Sequence, residues 1–281
     1  MMKSDPASTA GRPEKKVKRR THNFVVGRFP GFGAVTWLFF FYLYVPILIL
    51  VIFSFNSGRS ATIWNGFSLE WYVHAFANDD IQRAAINSIV VAISATLIAT
   101  TLATFAALIM ARSQKFKGQT ISYAVLMLPL IVPEIVTAVA TLSFFTAVGL
   151  KLGLGRVIVA HTVFCIPFSF LPIRARLQGM DDTLEQAAQD LYANEWQTFR
   201  HVTLPLLLPG IVSGAMLAFI ISIDDFIITL MVAQAGMTTL PLYIYGMVRM
   251  GITPEINAVS TVMLTISILF VSLSYYVGQR R

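Results

Sequence analysis

Charged residues and cysteine are both scarce in this chain of 281 residues. Only 12% of the residues are Asp, Glu, Lys or Arg, whereas 56% are hydrophobic and the mean hydropathy is +0.70. The single cysteine, Cys165, excludes a disulfide framework or a cysteine-based metal site within the chain. The sequence also lacks a G-x-x-x-x-G-K-S/T phosphate loop, so we do not expect the chain to hydrolyse ATP.

Long apolar runs make up much of the sequence. A membrane span needs about 20 mainly apolar residues, and the sequence has six such stretches, at approximately 33–55, 86–111, 120–148, 157–176, 205–232 and 256–278. We therefore predict an all-α polytopic membrane protein with six transmembrane helices. A soluble α/β enzyme could not bury this much apolar surface, and a transmembrane β-barrel would show alternating segments of about 10 residues.

The distribution of Lys and Arg predicts the orientation of the chain. With the N-terminus inside, 16 of the 21 Lys and Arg residues flank the spans on the cytoplasmic side, which favours cytoplasmic N- and C-termini. We expect residues 1–32 to be a basic, disordered cytoplasmic tail and 33–281 to be the transmembrane domain, because the first apolar stretch is too long for a signal peptide. The net charge of +7 thus reflects topology and does not indicate nucleic-acid binding.

The cytoplasmic segment between the fourth and fifth spans, residues 177–205, is long enough to carry a function. The residues that can cap a short amphipathic helix at its start are Asp181, Asp182 and Thr183. The small side chains of Ala187 and Ala188 leave a face of low profile that a groove in another protein can accept. From composition alone, an ordinary solvated connector helix is the alternative.

Small and acidic residues follow a recognisable order within this segment. The residues are Glu185, Gln186, Ala187, Ala188, Asp190, Leu191, Tyr192, Leu204 and Pro205. Their order resembles the EAA loop of ABC importer permeases, which forms a coupling helix that docks on the ATPase subunit. The resemblance implies the type I ABC importer permease fold and a docking role for these residues. Gln186 replaces the usual glutamate and Tyr192 the usual glycine, and Glu185 can supply the acidic contact from the adjacent position.

Further motifs extend the resemblance over about residues 33–278. They are Ser54-Phe55-Asn56, Phe67-Ser68-Leu69-Glu70-Trp71-Tyr72, Ile223-Asp224-Asp225-Phe226, Thr239-Leu240-Pro241 and the run from Arg249 to Ala258. Together they are similar to the second permease subunit of spermidine/putrescine importers. The resemblance implies transport of polyamine by alternating access across the inner (plasma) membrane, with no cofactor in this chain.

The same resemblance implies partners. We expect two copies of a separate ATP-binding subunit, a second permease subunit, a periplasmic polyamine-binding protein and membrane lipid. The second permease is expected to be a different chain, and the sequence leaves a homodimer open.

Three carboxylates at bilayer depth are the candidate substrate contacts. Charged groups there cost about 2.5–3.5 kcal/mol each on insertion scales, so Glu134, Asp224 and Asp225 are candidates for lining the pathway. A carboxylate cluster suits a flexible polycation, whose ammonium groups exchange water for anionic oxygens. Structural ion pairs or protonated carboxyls are the alternative for each residue.

Helical periodicity suggests different roles for the two neighbouring aspartates. Gly210, Gly214 and Ala218 recur at four-residue intervals, and such a stripe lets another helix approach closely. Asp225 lies near the stripe and Asp224 away from it, so one can face a helix contact and the other the pathway. The sequence does not show which of the two aspartates faces the pathway.

Other cargoes and mechanisms remain as alternatives. An ABC importer of the same type could carry another small cation or an amino-acid-like solute. An ion-coupled secondary transporter would use the buried carboxylates for protons, but it would leave the segment 177–205 unexplained.

Two further groups of residues have competing interpretations. His161 and Cys165 share a helix face and could form half a metal site, but packing is favoured, and we predict no metal and no catalytic residue. Near the external end, core packing is favoured over cation–π contact with substrate for Tyr243, Tyr245, Met247 and Met250.

Overall fold

The computed structural model describes residues 31–60, 63–112, 117–181, 183–251 and 253–279. The helices, in chain order, are α1 (Phe32–Phe53), α2 (Glu70–Ala77), α3 (Asp79–Arg112), α4 (Gln119–Ile131), α5 (Glu134–Ala147), α6 (Leu154–Gln178), α7 (Thr183–Asp190), α8 (Glu195–Thr198), α9 (Leu204–Asp224), α10 (Ile227–Val232), α11 (Leu240–Met250) and α12 (Pro254–Gln279). A π-helical turn, Phe199–Thr203, joins α8 to α9. Two parts of the sequence prediction lie outside the described residues, namely residues 1–30 of the tail and the capping candidate Asp182.

Five helical segments of the described chain are long and apolar enough to cross a membrane. They are Phe32–Phe53, Asp79–Ala111, Leu154–Gln178, Glu195–Asp224 and Pro254–Ser272. The pair α4 and α5, bent by 110°, makes a sixth if it is one span. The all-helical architecture predicted from the apolar runs is therefore confirmed.

The third and fifth apolar runs are not the single continuous helices that their length suggested. The third run breaks at Val132, whose ψ of 134° is extended because the following residue, Pro133, disfavours the α conformation. In the fifth run the helix starts at Glu195, well before the expected residue 205, and ends at Asp224. Asp225 is extended, with ψ of 129°, and α10 is a separate short helix.

The second span begins earlier than its hydropathy indicated. Its helix starts at Asp79, whereas the apolar run starts at about residue 86. The Asn78 side-chain oxygen accepts hydrogen bonds from the backbone N–H groups of Asp80 and Ile81, at 3.0 and 3.3 Å. A polar first turn is thus capped and continues directly into the apolar run.

The described chain forms two units, of which the first ends at Ile47 and the second begins at Leu48. The first unit contains most of α1, which is apolar on every side apart from residues such as Thr36. The Thr36 hydroxyl donates to the backbone oxygen of Phe32 at 2.9 Å, so this polar group is satisfied within its own helix.

The centre of the second unit is the packing of α3, α6 and α9. One face of α3 is a row of fully buried alanines, namely Ala92, Ala95, Ala99, Ala103 and Ala107. Small side chains let the helix backbones approach closely, which is the usual basis of helix association in a bilayer. The two candidate sites are the carboxylates predicted to contact substrate and the predicted coupling segment 177–205. Both lie on these three helices or on segments next to them.

Candidate functional site

The break in the third span positions Glu134. Pro133 precedes α5, and Glu134 is the first residue of that helix, where backbone N–H groups have no intrahelical partner and the helix dipole favours an anion. The Glu134 side chain is half-buried. Its carboxyl group lies within hydrogen-bonding reach of the Asp225 carboxyl.

The break in the fifth span separates the two aspartates. Asp224 is the last residue of α9 and is exposed, whereas Asp225 is buried, with a side chain only 2% accessible. Asp225 Oδ1 accepts hydrogen bonds from the backbone N–H and the hydroxyl of Thr229, at 3.1 and 3.3 Å. These bonds hold the start of α10 against the end of α9.

His161 on α6 completes this buried cluster. Its Nδ1 lies 2.8 Å from the hydroxyl of Ser222, and its Nε2 lies 2.9 Å from that of Thr229 and 3.3 Å from Asp225 Oδ1. The imidazole side chain is 1% accessible. Sequence reasoning associated His161 with Cys165 and missed Ser222 and Thr229, because their contacts with His161 join residues far apart in the sequence.

Cys165 and His161 both have contacts with other residues of the chain. The Cys165 thiol donates to the backbone oxygen of Ala218 at 3.5 Å. Among the described residues, no group of three or more His, Cys, Asp or Glu side chains could hold a metal ion. The packing interpretation of this pair therefore agrees with the contacts.

The small-residue stripe of α9 faces α6. Gly210, Gly214 and Ala218 are buried there, and a Cβ atom on Gly214 would lie 2.6 Å from the backbone oxygen of Ser169. Ser222 continues the stripe by one turn and contacts His161. Asp225, which the periodicity placed near the stripe, is thus the aspartate at the helix contact.

The segment between α6 and α9 contains the predicted short helix, α7. Asp181 Oδ1 accepts a hydrogen bond from the backbone N–H of Thr183 at 3.0 Å, and this bond holds the pKa of the Asp181 carboxyl below its usual value. The Thr203 hydroxyl donates to Glu185 Oε1 at 2.6 Å. Because Thr203 is buried at the base of α9, Glu185 joins α7 to the fifth span.

Tyr192, which stands where the resemblance expects glycine, has a backbone conformation that glycine adopts more readily. Its φ is +63°, in the left-handed region that glycine adopts readily, and its side chain is 97% exposed. The chain then enters α8, where Asn194 and Gln197 form a reciprocal capping box. Leu191 and Trp196 are also exposed, so this turn has apolar side chains on the protein surface.

The remaining predicted coupling residues lie on α7 and in the first turn of α9. The exposed ones on α7 are Gln186, Ala187 and Asp190, while Ala188 is half-buried. Leu204 and Pro205 form the first turn of α9, where proline is well tolerated. Arg176 Nε donates to the backbone oxygen of Leu206 at 2.8 Å, which fixes the end of α6 to this turn.

The aromatic residues of α11 contact a neighbouring ring, an arginine and a buried cluster. The Tyr245 ring lies 4.5 Å from that of Phe226, and the Arg249 guanidinium lies 4.6 Å from the Tyr245 ring centre. Tyr243 packs against the buried Val259 cluster, and Met250 is 86% exposed. Core packing therefore describes Tyr243, whereas Met250 is exposed and Tyr245 contacts a ring and an arginine.

Comparison with known proteins identifies the family. Residues 103–281 match the family described as binding-protein-dependent transport system inner membrane component. The spermidine/putrescine transport system permease protein PotC of Haemophilus influenzae is 38% identical over 248 residues, which cover 88% of this chain and 96% of PotC. The putrescine transport system permease protein PotI of Escherichia coli is 36% identical over 249 residues, or 86% of this chain and 89% of PotI.

The fold is also found in a solved structure. A chain in the crystal structure of a bacterial ABC transporter involved in the import of the acidic polysaccharide alginate superposes with a TM-score of 0.71 at 15% identity, covering 89% of this chain and 93% of the other. This likeness concerns the fold. Because the family match spans more than half of the residues and the similarity to PotC extends over most of both proteins, the chain belongs to the family of binding-protein-dependent transport system inner membrane components.

Proposed function

We propose that this chain is the permease subunit of an ATP-driven ABC importer that moves polyamines such as putrescine and spermidine across the inner membrane. The observation that carries this proposal is the similarity, over most of the chain, to permeases named for spermidine/putrescine and putrescine transport. The chain acts by alternating access, and no bond of the substrate is made or broken by it.

The carboxylates at the two helix breaks support a cationic substrate. Glu134 at the start of α5 and Asp224 at the end of α9 are both accessible, and the broken helices free backbone carbonyls next to them. An ammonium group that leaves water at this depth needs anionic or carbonyl oxygens in exchange. The same groups would repel an anion.

The energy is supplied by a separate protein. Helix α7 and the exposed turn at Tyr192 form the surface that docks on an ATP-binding subunit, and the Glu185–Thr203 bond connects that surface to α9. The assembly contains two ATPase subunits, a second and different permease chain, and a periplasmic polyamine-binding protein. In this arrangement both termini and the segment 177–205 lie in the cytoplasm.

The test is uptake by the assembled importer in proteoliposomes with ATP at the ATPase face. We expect uptake of labelled putrescine that persists when a protonophore removes the proton gradient. Glu134→Gln and Asp224→Asn should each reduce the maximal rate about tenfold, since each removes one charged hydrogen-bond partner. Co-purification with the ATPase should be unchanged in both variants.

Glu70→Gln is the matched control, because this carboxylate is exposed and lies outside the spans. We expect its uptake rate to match the unmodified protein. Full uptake in both Glu134→Gln and Asp224→Asn would contradict the role of the carboxylates. Uptake driven by the proton gradient instead of ATP would indicate a secondary transporter.

A further inference from the structure

Arg156 is a buried arginine that has no polar partner among the described residues. Only 7% of its surface is exposed, and its buried Nε donates no hydrogen bond to any part of the chain that the structure describes. No described carboxylate forms a salt bridge with it. Its guanidinium carbon lies 5.4 Å from the centre of the Phe145 ring, a contact that contributes about 0.5–2 kcal/mol. Because a buried cation without an anion is costly, this side chain requires an anion from outside the described chain.

The position of Arg156 corresponds to the surface of a bilayer. Arg156 lies in the first turn of α6, which is long and apolar enough to cross a membrane. A helix of 25 residues is about 37 Å long, whereas the hydrocarbon core is about 30 Å thick, so the first turn reaches the lipid headgroups. This helix end also favours an anion, because Gly153 has no side chain to cap it and its first turn has no acidic residue. The anion that a bilayer supplies at this level is a lipid phosphate.

An apolar groove begins beside this cation. It has a volume of about 460 Å³ and lies between α4, α5 and α6. Its lining on α5 extends from Val136 to Phe145, and Phe145 is the residue whose ring the guanidinium contacts. The hydroxyl of Thr141 in this lining donates to the backbone oxygen of Thr137 at 2.8 Å, so it is satisfied within its own helix. The groove therefore matches an apolar chain that starts at the cation.

A phospholipid supplies both the anion and the apolar chain. The guanidinium is planar and can donate two parallel hydrogen bonds to two phosphate oxygens, which makes arginine the usual residue for phosphate recognition. A membrane-spanning helix of another protein would cover the groove, but such helices rarely have a charged group to pair with Arg156.

We propose that Arg156 and the groove between α4, α5 and α6 bind one anionic phospholipid, with its phosphate on the guanidinium and an acyl chain along the groove. The site lies at the end of α6 opposite the segment 177–205. It uses neither Glu134 nor the two aspartates of the fifth span. It requires only that α6 crosses a bilayer, so it does not depend on which solute the importer carries.

Lipid binding to the assembled importer tests the role of the charge. The complex is purified in detergent and titrated with phosphatidylglycerol, and bound lipid is counted by native mass spectrometry. We expect Arg156→Gln to weaken binding about tenfold, because one charge-assisted pair is lost. Arg156→Lys keeps the charge and should retain more binding than Arg156→Gln.

Lys151→Gln is the matched control, because Lys151 is exposed in the connection just before α6 and the change removes the same charge. Its phosphatidylglycerol binding should equal that of the unmodified importer. Equal losses in Arg156→Gln and Lys151→Gln would indicate non-specific attraction to the positive surface, and the proposed site would be wrong.

A pair of valines on α5 tests the groove without changing any charge, so it remains informative if Arg156→Gln does not assemble. Val136 and Val139 are both exposed, but only Val136 lines the groove. Val136→Phe fills the space of the acyl chain and should weaken phosphatidylglycerol binding about tenfold. Val139→Phe should leave it unchanged. Full binding by Val136→Phe would rule out the groove as the acyl-chain site.

A photoreactive side chain identifies the occupant. Phe144 is exposed and lines the groove, so benzoylphenylalanine at this position has a similar size and can react with whatever lies there. In the importer reconstituted in phosphatidylglycerol vesicles, we expect an adduct with the mass of that lipid. A cross-link to another polypeptide would show that a protein helix fills the groove and would refute the lipid site. Release of bound lipid by excess inorganic phosphate would also refute it, since free phosphate makes no use of the groove.

Discussion

Tyr192 is the one residue other than glycine, among the described residues, that has a positive φ. A left-handed conformation costs an L-residue with a Cβ atom about 1–2 kcal/mol. The ring is 97% exposed, so contacts within this chain do not repay that cost. A bulky residue at a glycine position is therefore consistent with selection for a contact outside the chain.

We predict that Tyr192→Gly stabilises the turn and Tyr192→Val destabilises it, each by about 1 kcal/mol. The backbone N–H of Ala193, which donates to the oxygen of Ala188 at 3.1 Å, reports on opening of the turn. Its hydrogen exchange in the purified permease complex should be about fivefold slower in Tyr192→Gly. Faster exchange in that variant would show that the tyrosine side chain supports the turn.

At the scale of elements, the Glu185–Thr203 bond joins α7 of the candidate coupling segment to the base of α9. The bond from Arg176 to the Leu206 backbone joins α6 to α9 at the two ends of that segment. The sequence indicated the helix α7 from its caps and small residues. It did not indicate the Glu185–Thr203 bond, because the partners are separated by a turn whose path depends on the left-handed Tyr192.

We predict that Thr203→Val uncouples ATP hydrolysis from transport. The change removes the donor to Glu185 Oε1 at a buried position, at a cost of about 1–3 kcal/mol. The amount of putrescine imported per ATP should fall, while hydrolysis stimulated by the loaded binding protein continues. Thr203→Ser keeps the hydroxyl and should retain normal coupling, and equal loss in both variants would contradict the role of the bond.

The contact between α6 and α9 should be sensitive to a single methyl group. In Gly214→Ala the new Cβ would lie 2.6 Å from the backbone oxygen of Ser169, so the helices must move apart. We expect a loss of about 1–3 kcal/mol of stability, measured by thermal denaturation of the purified complex. Gly246→Ala is the control, because apart from its chain neighbours and the backbone of its own helix no atom lies within 4 Å of its new Cβ, and alanine favours a helix. Equal stability of the two variants would refute the close approach.

At the scale of the whole molecule, hydropathy indicates which segments cross the membrane, and the Lys and Arg distribution predicts their orientation. The six apolar runs correspond to five long helices and one bent pair. Pro133 accounts for the break in the third run, because it disfavours the helical conformation of the residue before it. Asp225 accounts for the break in the fifth run, because its side chain accepts a hydrogen bond from the backbone of the next helix. The predicted side of each loop depends on the Lys and Arg distribution.

Cysteine labelling tests that orientation. Cys165 is fully buried, so the unmodified chain should react little with a membrane-impermeant maleimide. We predict that Gln189→Cys on α7 is labelled only in inside-out vesicles stripped of ATPase subunits, and that Glu70→Cys is labelled only in right-side-out vesicles. Labelling of Gln189→Cys from outside would reverse the topology and remove the coupling role of α7.

The sequence by itself determined the number of apolar runs, the position of the acidic pair and the location of the polar segment between the fourth and fifth runs. These features depend on composition and on neighbours within a few residues, so they can be predicted without the fold. Only the tertiary structure decided that Asp225 is buried and Asp224 exposed. That difference depends on His161, which contacts Ser222 and Thr229 at separations of 61 and 68 residues along the chain. Such contacts arise from helix packing, and no local pattern encodes them.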